Sequence, residues 1–146
     1  MALSKTKLTF FRKFLLKKTR EQEGLFFVEG WHLLDEAMKA GRRLHVVIVD
    51  PEAKREATED AVLQAALAEA EASYEGTGSQ LEQLSDTRTS QGVLALVDRV
   101  GCGFGELLGT LPTRGPVRLV VLDALGDPGN CGSIVRSCGW FGVDGV

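Results

Sequence analysis

The stretch LFFVEGWHLLDEAMKAGRRLHVVIVD, residues 25–50, holds the outline of the fold. LFFV (25–28) is a short apolar run of the kind that makes a buried strand. Glu29-Gly30 follows, and WHLLDEAMKA (31–40) spaces its apolar residues as a helix that Gly41 ends. LHVVIV (44–49) is a β-branched strand, and Asp50-Pro51 opens the next helix, where proline is tolerated because its missing N–H has no partner to lose.

Outward from this unit the alternation continues. EATEDAVLQAALAEAEA (56–72) is alanine-rich and predicts a helix. SYEG (73–76) predicts a short strand, SQLEQLSDT (79–87) a short helix capped by Ser79, and GVLALVDRV (92–100) another strand. Toward the N-terminus, residues 6–22 place Leu8, Phe11, Phe14 and Leu15 at helical spacing, and Gly24 stops that helix. Strands alternating with helices predict a small α/β sandwich domain over residues 1–100. GCGFGELLGTLPTRGP (101–116), with five glycines and two prolines, reads as a linker holding one helical turn. A second unit then begins: VRLVVLD (117–123) as a strand, ALGDPGN (124–130) as a loop and CGSIVRSCGWF (131–141) as a helix, with GVDGV (142–146) leading into a second parallel strand.

Composition narrows the function classes. Apolar residues make up 44% and charged residues 25% of the chain, an ordinary globular balance, and no run is long enough to cross a membrane. The net charge of −3 hides an asymmetry: residues 1–20 carry Lys5, Lys7, Arg12, Lys13, Lys17, Lys18 and Arg20 and no acid. A +7 segment on a body of −10 points to a polyanion, with Lys13, Lys17, Lys18 and Arg20 as candidate RNA-backbone contacts and a solvated helix face as the plain alternative. The same segment is compatible with an organelle transit peptide. Cys102, Cys131 and Cys138 have no C-x-x-C spacing, and the last two would lie about 10 Å apart along a shared helix, so they read as free core thiols in a reducing, cytoplasmic compartment. His32 and His45 are isolated, and no metal-ligand set is present in the sequence.

The glycines of the loop and helix start in the 117–141 unit fall at Gly126, Gly129 and Gly132, not at the dinucleotide-binding spacing, and no lysine stands where a Walker loop needs one. On the helix, Ile134, Cys138 and Phe141 form the stripe expected to be buried, while Ser133, Arg136 and Trp140 share another face. Asn130 sits at the helix start, positioned to cap it or to face a ligand. A face of Ser, Arg and Trp beside an Asn-capped loop suits ribose and phosphate, the guanidinium clamping phosphate and the ring stacking a base. On residue chemistry alone, Asn130 as a simple cap and Arg136 as a surface residue is the favoured reading.

DPGNCGSIVRSCGWFGVDGV (127–146) resembles the first motif of the SpoU (TrmH-like) branch of the SPOUT RNA methyltransferases, through Pro128, Asn130, Gly132, Arg136, Phe141, Gly142 and Val143. Cys131 departs from the aliphatic residue usual there. REQEGLFFVEGWHLLDEAMKAG (20–41) and LSDTRTSQGVLALV (84–97) look like the substrate-binding domain that precedes many SpoU catalytic domains. The resemblance implies a Rossmann-like catalytic domain closed by a trefoil knot, of which this chain carries only the first strand–helix unit. The S-adenosylmethionine pocket and the homodimer interface would then lie beyond Val146.

The implied reaction is methyl transfer to a ribose 2′-hydroxyl of structured RNA, tRNA or rRNA. Arginine stays protonated at any working pH, so Arg136 would not be a general base. It would fix ribose and phosphate and stabilise the developing alkoxide, across the dimer as the resemblance implies, while Asn130 positions the loop or the ribose. Glu29 and Gly30 read as a helix start, and Trp31 and Trp140 as packing residues. The competing reading is a non-catalytic RNA-binding protein whose incomplete second domain is a scaffold. A nucleotide-binding α/β enzyme is disfavoured by the glycine spacing.

Overall fold

The computed structural model describes residues 1–56, 61–85, 90–101 and 103–146. The helical expectation over 57–60, the run 86–89 with the end of the predicted short helix, and Cys102 lie outside the described residues. The chain divides into two compact units, Met1–Val100 and Gly101–Val146.

The first unit is built on a four-stranded mixed sheet. β1 (Leu25–Glu29) lies at one edge, followed in space by β4 (Val93–Asp98), β2 (Leu44–Val49) and β3 (Ala72–Glu75). β4 is antiparallel to both β1 and β2, while β2 and β3 run parallel. The pairing explains burial. Every residue of β4 from Val93 to Val97 is buried, since the strand is central and both sheet faces are covered. β1 is only half-buried along its length because it has one neighbouring strand, which corrects the expectation of a fully buried strand there.

Each face of the sheet packs its own layer. Leu94, Leu96, Val46, Ile48 and Tyr74 join Leu3, Phe11, Phe14, Leu81 and Leu84 on one side. Val93, Ala95, Val97 and Val47 meet Leu34, Ala37 and Ala66 on the other. Leu44 belongs with Val47, although strict alternation would set it with Val46. An irregularity in the β2·β4 register between Leu44 and Val46 turns it to the other face. The second layer is made by α3 (Trp31–Lys39) and α5 (Ala61–Glu69), each presenting apolar residues to the sheet. Trp31 packs against that cluster, as expected.

The N-terminal segment is not one helix. It forms α1 (Lys5–Phe11), a 3₁₀ turn (Arg12–Leu15) and α2 (Lys17–Glu23), with Leu16 extended between the last two. The break has a cause in packing: Phe11 and Phe14 both set edge-to-face contacts on Phe27 of β1, at 6.3 and 6.2 Å between centroids. Arg20 then reaches back to donate to the carbonyls of Phe14 and Leu15, at 3.1 and 2.6 Å, and so closes the 3₁₀ turn. Gly24 ends α2 in the left-handed conformation, as expected. Ahead of α1, Leu3 donates its N–H to the Glu75 carbonyl and buries its side chain. The segment read as compatible with a transit peptide therefore contributes core residues.

Three smaller expectations shift. The region 56–72 is α4 (Pro51–Glu56) and α5, and Ala72 already pairs in β3 with Val46. The short helix is α6 (Gly78–Glu82), and its N-cap is Thr77 rather than Ser79: Gln80 Oε1 accepts from the Thr77 N–H at 3.0 Å. The linker holds α7 (Phe104–Thr110), longer than the single turn expected.

Two glycines with positive φ stand where a Cβ would collide with a neighbouring side chain. Gly30 takes φ +90° and ψ 157°, a region open only to glycine. Gly92 takes φ +79°, and a Cβ there would stand 2.5 Å from the Cβ of Ala53 on α4. Between them Glu29 accepts from the Ser85 hydroxyl and, at 3.4 Å, from the Gln91 N–H. Glu29-Gly30 and Gln91-Gly92 thus form one corner, which supports the structural reading of Glu29. Gly92→Ala is expected to lower stability by about 2–4 kcal/mol, from backbone strain plus the displaced helix, measurable as a fall in the urea midpoint at constant slope. A loss below about 0.5 kcal/mol would show the corner to be loosely packed.

At the surface, Lys54 pairs with Glu75 at 2.6 Å and holds its carboxyl below the usual glutamate range. No helix among the described residues is long and apolar enough to cross a membrane.

Candidate functional site

In the second unit, α8 (Pro128–Trp140) begins earlier than expected. Its N-cap is Asp127, whose Oδ1 accepts from the Asn130 N–H at 2.6 Å, and Pro128 occupies the first helical position. Asn130 is therefore inside the first turn and not the cap. Its side chain is exposed and takes part in no hydrogen bond among the described residues. A carboxylate already satisfies the helix start and Pro128 offers no N–H, so this end of α8 is poorly suited to an anion.

Ahead of α8, Ala124 adopts φ +53°, the one positive φ of a non-glycine residue among those described. The stretch 117–123 does not form an extended ladder. A single parallel bridge joins Leu119 to Gly145, flanked by bonds from Val120 N–H to the Gly145 carbonyl and from Asp144 N–H to the Arg118 carbonyl. The parallel relation of GVDGV to this stretch is as expected, but one residue pair makes a bridge, not a strand.

Along α8, Cys138 is buried and Ile134 half-buried, yet Phe141 is 79% exposed. Phe141 is the residue where the helix ends, and although it lines the same cleft as Ile134 and Cys138, nothing in this unit covers it. Trp140 is 86% exposed and so is not a packing residue within this unit. Ser133 and Ser137 turn their hydroxyls inward, donating at 2.9 Å to the carbonyls of Gly129 and Ser133. Arg136 is exposed, with no hydrogen bond or ion pair among the described residues. Asn130 and Arg136 stand six residues apart on α8, about 9 Å along its axis and about 120° around it, so they do not converge on one point. Cys131 and Cys138 are free thiols.

The cations of the first unit are likewise divided. Lys13 lies in the 3₁₀ turn, with its Nζ 5.8 Å from the Phe10 ring, whereas Lys17 and Lys18 open α2. Lys17 pairs loosely with Glu21 at 3.7 Å. Arg20 is partly committed to the carbonyls it closes. Lys17 and Arg20 line a cleft of about 640 Å³, together with Arg42 and Arg99. Sequence reading missed those last two. They follow α3 and β4, and only the sheet brings them beside α2; Arg42 at the helix end and Arg99 at the strand end were the available signals.

No group of residues among those described could hold a metal ion. The clefts of unit two are lined mainly by apolar residues such as Leu107, Leu119, Val121 and Val135, and its serine hydroxyls are turned to the helix backbone.

The mixed α/β fold, a covered sheet followed by a strand-like segment and a helix, is shared with solved RNA methyltransferases. The likeness to solved structures covers nearly the whole chain. AviRb, a SpoU methyltransferase from Streptomyces viridochromogenes solved with AdoMet, superposes with a TM-score of 0.75 at 21% identity, over 97% of this chain and 52% of that one. The AdoMet-bound rRNA methyltransferase from Sinorhizobium meliloti gives 0.74 at 22% identity, over 97% and 51%. Residues 5–95 match the model of the MRM3-like substrate binding domain, and the chain belongs to that family. The 23S rRNA (guanosine(2553)-2′-O)-methyltransferase RlmP of Bacillus subtilis is 27% identical over 140 residues, 96% of this chain and 50% of RlmP. The chain spans about half the length of the curated relatives it matches.

Proposed function

We propose that the chain is the N-terminal part of an S-adenosylmethionine-dependent RNA methyltransferase that modifies a ribose 2′-hydroxyl of rRNA or tRNA. Residues 1–100 are its RNA-binding domain, 101–116 its linker and 117–146 the opening of its catalytic domain. The observation that carries this reading is the order of parts: an MRM3-like substrate-binding match over 5–95, then the SpoU-type run at 127–143, in a chain similar to RlmP over 96% of its length. The cofactor pocket belongs to residues outside this chain. The complete protein acts as a cytoplasmic homodimer.

Within that reading, Arg136 binds ribose and phosphate and steadies negative charge as the hydroxyl loses its proton, and the exposed Asn130 positions the ribose by hydrogen bonding. Lys13, Lys17, Lys18, Arg20 and Arg136 meet RNA phosphates. The exposed Val121, Trp140 and Phe141 support the view that the second unit is covered in the complete enzyme.

Incubating the complete gene product with methyl-labelled S-adenosylmethionine and total RNA is expected to label rRNA or tRNA at 2′-O positions resistant to alkali. Binding of RNA without labelling would favour the non-catalytic reading. The domain division has its own test. A fragment ending near residue 103 is expected to unfold cooperatively, with dispersed amide signals, and a broad non-cooperative melt would count against it.

A further inference from the structure

We propose that the cleft between α2 and the adjoining ends of α3, β1 and β4 is an RNA-backbone site, with Arg42 and Arg99 as phosphate ligands that extend the contacts of Lys17 and Arg20. The inference rests on the RNA-binding reading above and adds to it the place of contact.

Three observations carry it. The cleft, of about 640 Å³, gathers four cations, Lys17, Arg20, Arg42 and Arg99, against two carboxylates, Glu21 and Asp98. This excess of positive charge stands on a chain whose residues outside 1–20 are net negative, so it is a local concentration and not a general property of the surface. The cations are also differently prepared. Arg42 is oriented by donating to the Ala40 carbonyl through Nε and Nη2, at 3.1 and 2.9 Å, and its Nη1 stands 3.7 Å from Asp98. Arg20 is likewise held by the carbonyls of Phe14 and Leu15, which leaves its second terminal nitrogen for another acceptor. Guanidinium groups fixed this way lose little freedom on binding phosphate. Arg99 is exposed and makes no side-chain hydrogen bond or ion pair among the described residues. Third, the cleft is not purely ionic. Phe26 and Val100, the latter 65% exposed, line it as well. Cations around an apolar surface match a polymer that alternates phosphate with flat, weakly hydrated bases.

Asp98 has a second duty, accepting from the Arg43 N–H at 2.7 Å. It thereby holds the turn that presents Arg42, and its negative charge restrains binding. This gives the proposal a prediction in both directions.

The test uses the 146-residue chain and a fluorescein-labelled RNA stem–loop, with anisotropy followed across a salt series. The double variant Arg42→Gln/Arg99→Gln is expected to bind about tenfold more weakly near 0.1 M salt, with a log–log salt slope shallower by about 1.4–1.8, two phosphate contacts' worth. Arg99→Glu alone, at an exposed position that leaves the fold intact, is expected to weaken binding and flatten the slope. Glu21→Gln and Asp98→Asn are expected to tighten binding by about two- to threefold, a gain that loss of structure would not produce. The charge-matched double variant Lys5→Gln/Arg55→Gln, away from the cleft, is expected to keep the wild-type slope. RNA binding by the wild type with an unchanged slope in the double variant would overturn the cleft while leaving the RNA reading intact. No binding by the wild type at low salt would overturn both. Displacement of the RNA by polyglutamate at equal charge concentration would overturn the assignment to RNA in favour of an acidic protein partner.

Discussion

Arg136→Ala in the complete enzyme is expected to cut methyl transfer by 10²–10³-fold, about 3–4 kcal/mol of transition-state stabilisation, while leaving the melting temperature within a few degrees. The stability half of this expectation follows from the position of the side chain. Arg136 is exposed on α8 with no partner among the described residues, so its removal opens no cavity and leaves no buried group unpaired. The catalytic half follows from the proposed role. A cation held by a rigid helix near the ribose hydroxyl needs no rearrangement as charge develops there. Arg136→Lys keeps the charge but not the planar fork, and is expected to recover only part of the rate. Single-turnover assays on purified variants would measure both. Wild-type turnover in Arg136→Ala would end the catalytic assignment, and a collapse of folding would make the residue structural.

Phe11→Ala is expected to cost about 3–5 kcal/mol, enough to unfold a domain of ordinary stability or bring it close. Phe11 is 2% exposed and stands edge-to-face with Phe27 at 6.3 Å and with Tyr74 at 5.8 Å. Its loss would open a void between the N-terminal segment and the sheet, and β1 could not close it without breaking its pairing with β4. Phe11→Leu is expected to cost a third to a half as much, since most of the buried volume is retained. Urea titration followed by circular dichroism would read both as shifts of midpoint at an unchanged slope. A loss under about 1 kcal/mol for Phe11→Ala would mean that the basic N-terminal segment is only an arm lying on the domain, not part of its core.

The two variants test different kinds of legibility. Arg136 was singled out by a motif, and its place on an exposed helix face agrees with what spacing predicts. Phe11 was legible as apolar, but its neighbours were not: nothing local in residues 6–22 announces that the helix breaks at Leu16 so that Phe11 and Phe14 both reach Phe27. Phe141 shows the same limit from the other side, since helical spacing makes it a core residue while nothing within its own unit covers it. Asn130 lost its capping role to Asp127, which precedes a proline that starts the helix one turn earlier than its periodic residues do.

Local chemistry by itself determined where β2 and α3 run, the glycine stops at Gly24 and Gly41, the excess of positive charge near the N-terminus and the identity of the run at 127–146. Each of these depends on residues within one turn or one strand of each other. Tertiary structure alone decided the order β1-β4-β2-β3, which makes β4 central although it comes last in the chain, and the register irregularity that turns Leu44 to the face of Val47. It also decided that Gly30 and Gly92 meet at one corner and that Arg42 and Arg99 share a cleft with Arg20. The physical reason is common to all of these. Strand pairing and face-to-face packing join residues tens of positions apart, and their free energy depends on which surfaces meet, a quantity that no local window of sequence contains.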